Sequence, residues 1–281
     1  MSDESPTEAV HEDTRDLDRR STEEVLRAIH VEDGRAWEAV GRVLPAIAEA
    51  ADVLTVALAG GGRWFNVGAG TSGRLGALDA AEIPPTFGLP PQRVQAVVAG
   101  GDAALLRAIE GAEDHTERAA FMLHERGLAA GDAVLAISAS GRTPFTLASL
   151  ETAHAVGART IALTCNPGSP LAEAAEIAIA PEVGPEVIAG STRMKGGLVQ
   201  KMVLTMLSTT VMVRLGYVSG NLMTHLMPAS AKLRERGLRI VMELGSLDRA
   251  AAAALLDACD GNVAEATRRL GGAARANAEE R

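Results

Sequence analysis

The sequence predicts an α/β protein with a parallel sheet, preceded by a helical N-terminal segment and followed by an all-helical C-terminal extension. Three observations lead there. Short apolar runs alternate with helical patterns between residues 63 and 180, as in a parallel sheet covered on both faces. Two of those runs end in loops rich in glycine and hydroxyl groups, Gly68-Ala69-Gly70-Thr71-Ser72-Gly73-Arg74 and Ser138-Ala139-Ser140-Gly141-Arg142-Thr143, each opening a helix. Beyond about residue 190 the pattern is helical throughout.

The elements follow in order. Residues 1–20 are acidic and polar and are expected to form a flexible tail; without a basic start and an apolar run they do not read as an export signal. Residues 21–62 read as N-terminal helices. Ser21 with Glu24 has capping-box spacing ahead of Val25-Leu26-Arg27-Ala28-Ile29. A second helix is expected from about 35 to 58, kinked at Pro45 and ended by Gly60-Gly61-Gly62, because Val40, Val43, Leu44, Ile47 and Ala51 recur at helical spacing. Residues 63–216 read as the ligand-binding α/β domain. Its strands are expected near 64–67, 94–98, 133–138, 160–164 and 176–180, with helices at about 72–81, 102–126, 144–155 and 169–174. Helices are expected again at 193–216 and, in a C-terminal helical region spanning 217–281, at 221–238, 245–257 and 261–271.

Composition narrows the function. Apolar residues make up 47% of the chain but aromatics only 2%, so a platform of stacked aromatics for bases or sugars is not expected. The formal net charge of −9 argues against nucleic acid and against an anionic membrane surface. No apolar run reaches the length of a membrane span free of charges; Met202 to Val218 contains Arg214 and reads as a buried helix. Cys165 and Cys259 stand far apart with no CxxC, which fits reduced thiols and a cytoplasmic location.

The two loops carry the binding chemistry. Glycines let the backbone approach a ligand, and the helix that follows presents unpaired N–H groups and a positive dipole end. Gly70, Thr71, Ser72, Gly73 and Arg74 in the first loop, and Ser138, Ser140, Gly141 and Thr143 in the second, are the candidate phosphate contacts. Two such loops in one sheet suggest a sugar phosphate more than a nucleotide. Gly68-x-Gly70-x-x-Gly73 also fits the dinucleotide fingerprint. However, the acidic residue that fingerprint requires arrives late, at Asp102, and the second loop would have no role. Neither loop ends in the Gly-Lys-Ser/Thr of a Walker motif.

The six histidines are scattered and no metal constellation, nucleophile elbow or nucleophilic cysteine context is present. The chemistry therefore falls to carboxylates. Glu82 follows the helix opened by the first loop and precedes Pro84-Pro85; the cluster Glu110-Gly111-Ala112-Glu113-Asp114 follows Ala99-Gly100-Gly101. Acidic residues on a helix mostly form a solvated face, and by itself the pattern does not choose among them.

Larger blocks do choose. Val67 to Gly76, Leu78 to Gly88, Glu110 to Asp114, Ser138 to Pro144, Cys165-Asn166-Pro167-Gly168-Ser169, Val183 to Val187, Gly190-Ser191-Thr192-Arg193-Met194-Lys195 and Gly220-Asn221-Leu222-Met223 together resemble the N-acetylmuramic acid 6-phosphate etherases, from about Leu17 to Leu238. The resemblance implies a flavodoxin-like sugar isomerase (SIS) domain, a homodimer, no cofactor and no metal. It implies N-acetylmuramic acid 6-phosphate as the substrate and cleavage of its lactyl ether. Two glutamates would do the chemistry, Glu82 as proton donor and Glu113 as base, with Ser191 and Lys195 joining the substrate contacts. A donor must keep its proton, so Glu82 is expected in a partly dry pocket. The helix over 198–213 is a candidate dimer face. Two other readings stand beside the lyase: a non-catalytic sugar-phosphate sensor, which would not need both glutamates, and an aldose–ketose isomerase, against which Glu82-Ile83-Pro84-Pro85 speaks. The chain departs from the family in having Ala81 and Ile83 where Ser and Cys are usual, and Gly196-Gly197-Leu198-Val199 after Lys195.

Overall fold

The computed structural model describes residues 6–226 and 230–270. The chain divides into two compact units, one formed by Met1–Ala80 with Gln92–Val211, the other by Ala81–Pro91 with Met212–Arg281.

The first unit opens with three short 3-10 turns, at Pro6–Glu8, Glu12–Thr14 and Leu17–Arg19. This corrects the expected flexible tail for residues 6–20; residues 1–5 lie outside the described part. Thr7, His11 and Thr14 are buried. The Thr14 hydroxyl donates to the Val187 carbonyl at 2.9 Å, and the Gly190 N–H to the Thr7 carbonyl at 3.2 Å. Buried polar groups so satisfied tie the segment down.

Helix α1 (Thr22–Arg42) starts at the predicted box: Ser21 accepts the Glu24 N–H and donates its own to the Glu24 carboxylate. It runs on through Arg42, so the break falls at Val43 rather than near residue 30. Helix α2 (Leu44–Ala59) begins there, with Pro45 in its first turn, where a missing N–H costs nothing. Pro45 therefore starts a helix and does not kink one.

Strand β1 (Trp64–Gly68), helix α3 (Gly70–Phe87), strand β2 (Val94–Val98), helix α4 (Ala103–Leu106), helix α5 (Thr116–Glu125), strand β3 (Ala133–Ile137), helix α6 (Pro144–Val156), strand β4 (Arg159–Leu163), helix α7 (Pro170–Ala174) and strand β5 (Ile177–Ile179) build the core. All five predicted strands are present, all pairings are parallel, and the order is β2-β1-β3-β4-β5. That is the flavodoxin-like order. Phe65, Val67, Val134 and Ala136 face one way into a core shared with Leu123 of α5 and Phe145 and Leu150 of α6.

Two helices differ from expectation. α3 continues past residue 81 through Pro84 and Pro85 to Phe87, the prolines removing the N–H groups that would bond the Ala80 and Ala81 carbonyls. The single helix expected over 102–126 is broken. Arg107 is extended and Gly111 has φ +71, conformations that stop a helix, so Ala112–Asp114 form a separate 3-10 turn before α5.

At the amino end of the sheet, Asp132 (3% exposed) joins β1 to β3. It accepts the Arg63 N–H at 2.7 Å and the Ala129 N–H at 2.9 Å, and pairs with the Arg63 guanidinium at 2.7 Å. Asp132→Ala strands these donors and is expected to cost about 3 kcal/mol in chemical unfolding. Because this end lies away from the loops, KM should hold in the folded fraction.

Helix α8 (Lys195–Arg214) closes the first unit's described chain. It is long and apolar enough by composition to cross a membrane. However, Val199, Val203, Leu204, Leu207 and Val211 are at most 1% exposed within the protein, so it is a core helix.

In the second unit, β6 (Val218–Ser219) and β7 (Leu222–Met223) form an antiparallel hairpin where a helix from 221 was expected. Gly220 at φ +58 opens the two-residue turn, the glycine-first pattern of tight hairpins. Helices α9 (Ala231–Gly245) and α10 (Arg249–Asp257) follow, then a helical stretch over 263–270; residue 271 lies outside the described part. Leu226, Ile240, Val241, Ala252, Leu256, Val263 and Ala266 make a second, independent core.

Candidate functional site

β1 and β3 are hydrogen-bonded neighbours with Gly68 opposite Ile137. Their following loops therefore emerge side by side at the carboxyl edge. Here the chain, having added β2 on one side of β1, crosses to add β3 on the other. Such a switch point is where open α/β sheets bind ligands.

The first loop is compressed onto its helix. A Cβ on Gly73 would lie 2.6 Å from the Gly68 carbonyl oxygen and 2.8 Å from Val98 Cγ1, so only glycine lets the turn close. Thr71 is half-buried and Ser72 buried in the first turn of α3, where leading N–H groups lack helical acceptors. Arg74 is committed sideways, its Nε donating to the Ala104 carbonyl at 2.8 Å.

The second loop is a cradle of hydroxyls. Ser138 Oγ lies 3.0 Å from Thr143 Oγ1 and 3.4 Å from Ser140 Oγ, and accepts the Gly141 N–H at 3.1 Å. Ser140 Oγ accepts the Arg142 N–H at 3.2 Å. Gly141 sits at φ +67, and a Cβ there would strike Ser169 Oγ at 2.1 Å. The loop is moored to the end of β4 by the Cys165 N–H donating to the Ala139 carbonyl at 2.9 Å.

The candidate carboxylates are placed differently. Glu82 lies on α3 in the second unit and is exposed among the described residues, where a dry pocket was expected. Glu113 lies in the first unit on the 3-10 turn after Gly111 and is also exposed, as are Glu110 and Asp114. Ser191 is half-buried ahead of α8. Lys195, expected among the substrate contacts, instead faces inward. It is 1% exposed, its ammonium ion-paired with Glu32 and donating to the Val183 carbonyl at 2.9 Å.

Sequence reasoning missed the network around that lysine. Glu32 (3% exposed) also meets His11 at 3.1 Å and Arg35 at 2.7 Å. Burial opposes its ionisation, but Lys195 and then His11 outweigh burial and hold the carboxyl below its ordinary value. Glu186 is fully buried and accepts the N–H groups of Lys195 at 2.9 Å and Gly196 at 2.8 Å. Burial pushes it upward, against the pull of those amides and of Lys195. The one available signal was an acid inside the run Val183 to Val187, and no local spacing links it to a helix beginning at residue 195.

Cys165 is no nucleophile. Burial, with Glu186 nearby, pushes its thiol up to about 12. A disulfide thiol probe should leave Cys165 unmodified in the native protein and modify it on unfolding; fast native labelling mapped to Cys165 would contradict this. Among the described residues no group of three or more His, Cys, Asp or Glu is arranged to hold a metal.

Comparison with known proteins bears on the fold and the family. Residues 46–154 match the model for the glucokinase regulatory protein N-terminal SIS domain, and residues 113–228 the SIS domain model. Solved structures give the fold. A phosphoheptose isomerase from Francisella tularensis superposes with a TM-score of 0.51 at 22% identity, covering 68% of this chain and 98% of that one. The phosphoheptose isomerase of Neisseria gonorrhoeae gives 0.51 at 20%, again covering 68% and 98%. Curated relatives are much nearer. The N-acetylmuramic acid 6-phosphate etherase of Symbiobacterium thermophilum is 51% identical over 260 residues, 92% of this chain and 86% of that protein. The one from Cronobacter sakazakii is 50% identical over 250 residues, 89% and 84%. With half its residues shared along almost its whole length, and its strands in the flavodoxin-like order, this chain belongs to the N-acetylmuramic acid 6-phosphate etherase family.

Proposed function

We infer that this protein is a lyase-type enzyme that cleaves the D-lactyl ether of N-acetylmuramic acid 6-phosphate, giving N-acetylglucosamine 6-phosphate and D-lactate. The observation that carries the reading is the pair of adjacent anion loops at the switch point in a chain half identical to etherases. Both loops offer amides, and hydroxyls that add donors without adding charge, a suitable receptor for one phosphate at the end of a sugar.

The reaction runs by acid–base chemistry without a cofactor. In the open-chain sugar the hydrogen on carbon 2 is alpha to an aldehyde, and Glu113 removes it. Glu82 donates a proton to the ether oxygen on carbon 3 as lactate leaves. Water then adds to the unsaturated aldehyde at carbon 3. Glu82 and Glu113 are both exposed in the single chain, and a homodimer that covers them would supply the dryness a proton donor needs. Apolar Ala81 and buried Ile83 beside Glu82 suit such an environment. The two free, buried thiols, Cys165 and Cys259, suit work in the reducing cytoplasm.

The test is lactate release from the substrate in deuterated water. Lactate together with deuterium at carbon 2 supports elimination. Binding of the sugar phosphate with neither lactate nor exchange would favour a sensor instead.

A further inference from the structure

Glu186 takes no part in that chemistry, yet its carboxylate is wholly buried and bound to the two leading amides of α8, those of Lys195 and Gly196. The next two amides are also taken. Gly197 donates to the Thr192 carbonyl and Leu198 to that of Met194, each at 2.8 Å. A helix start of this kind ordinarily draws an anion. Here the protein has filled it with its own, so α8 does not hold the phosphate itself.

What this closed helix start touches gives it a role. A Cβ at Gly196 would lie 3.2 Å from Ala139 Cβ in the second anion loop; one at Gly197 would lie 3.4 Å from Thr71 Cγ2 in the first. Consecutive residues of one turn thus abut both loops. We propose that Glu186 is a positioning residue of the sugar-phosphate site: by binding both leading amides of α8 it seats that turn against Ala139 and Thr71 and fixes the two loops relative to each other. The helix dipole and Lys195 offset the carboxylate charge, and the Lys195 ammonium is in turn paired with Glu32. The proposal rests on reading the loops as the phosphate site.

Two measurements test it. Glu186→Gln keeps one acceptor but sets an NH2 group against the second amide, so one charge-assisted bond is lost and the turn shifts. In folded variant protein, checked by circular dichroism, inorganic phosphate should bind roughly tenfold more weakly by calorimetry. KM for the sugar phosphate should rise in step while kcat changes far less, since Glu82 and Glu113 are untouched. A purely structural residue would lower the melting temperature and leave phosphate affinity and KM as they were, which would overturn the proposal. The second measurement needs no variant, and so holds if Glu186→Gln does not fold. Coupling is reciprocal, so saturating phosphate on the wild type should slow hydrogen exchange at the Lys195 and Gly196 amides. Unchanged exchange overturns the proposal. Wild type that binds phosphate but releases no lactate sinks the etherase reading alone, with the Glu186 result still read from affinity. Wild type that binds no phosphate sinks both.

Discussion

Glu113→Ala is expected to abolish both lactate release and deuterium exchange at carbon 2, while Glu82→Ala should retain exchange and lose lactate. The asymmetry follows from the order of events. Removing a proton alpha to an aldehyde needs only a base in reach, and without it nothing downstream occurs. Expulsion of an alkoxide-like lactate oxygen needs a proton delivered to it, so loss of the donor lets the carbanion form and collapse back. Each loss should amount to about 10²–10⁴-fold in kcat, the usual worth of a general acid or base. Stability should barely move, because both side chains are exposed and neither is in the buried network. Rapid-quench lactate assays alongside NMR of the sugar read both quantities. If Glu82→Ala lost exchange and Glu113→Ala kept it, the two roles would be reversed; full activity in either variant would remove that residue from the mechanism.

Glu32→Ala should produce the largest loss of stability. It leaves the 1%-exposed Lys195 ammonium without its counter-charge, and breaking a buried pair from one side costs about 3–5 kcal/mol. For a protein of this size that is a fall in melting temperature of roughly 10 °C. The pH dependence has a definite sign. The folded carboxyl sits below its ordinary value, so its stabilisation is complete above the unfolded value near pH 4.5 and drains away as pH falls through the folded value. Urea unfolding of wild type and variant should therefore differ most at neutral pH, the gap narrowing as pH drops below about 4.5. Parallel curves would show that Glu32 is not held as described. Because this ion pair braces Lys195, whose amide Glu186 also holds, phosphate affinity should weaken modestly in the folded variant as well.

Much of the architecture is written locally. Five apolar strands, the Ser21–Glu24 cap and both glycine–hydroxyl loops are set by side-chain type and short spacing. Periodicity reads these directly, and the strands appear where the pattern puts them. Where the local signal was a single residue with two meanings, the reading slipped. Pro45 begins a helix, Gly111 opens a separate 3-10 turn inside an otherwise helical pattern, and Gly220 folds a hairpin. In each case backbone conformation, which the chain pattern does not state, decided the outcome.

Tertiary structure alone decided three things. Strand order put β3 beside β1, making neighbours of two loops whose sequence positions say nothing about adjacency, since parallel pairing is set by crossovers. Burial turned Lys195 inward and gave Glu186 and His11 their partners; such links join residues far apart in the chain and leave no periodic trace. The exposure of Glu82 among the described residues is likewise a matter of tertiary surroundings, which local pattern does not state. The sequence determined which groups the chain has available to bind and react, because chemistry resides in residue types. Only the fold determined which of those groups meet and which are shielded from water, because both depend on contacts the chain makes with itself at a distance.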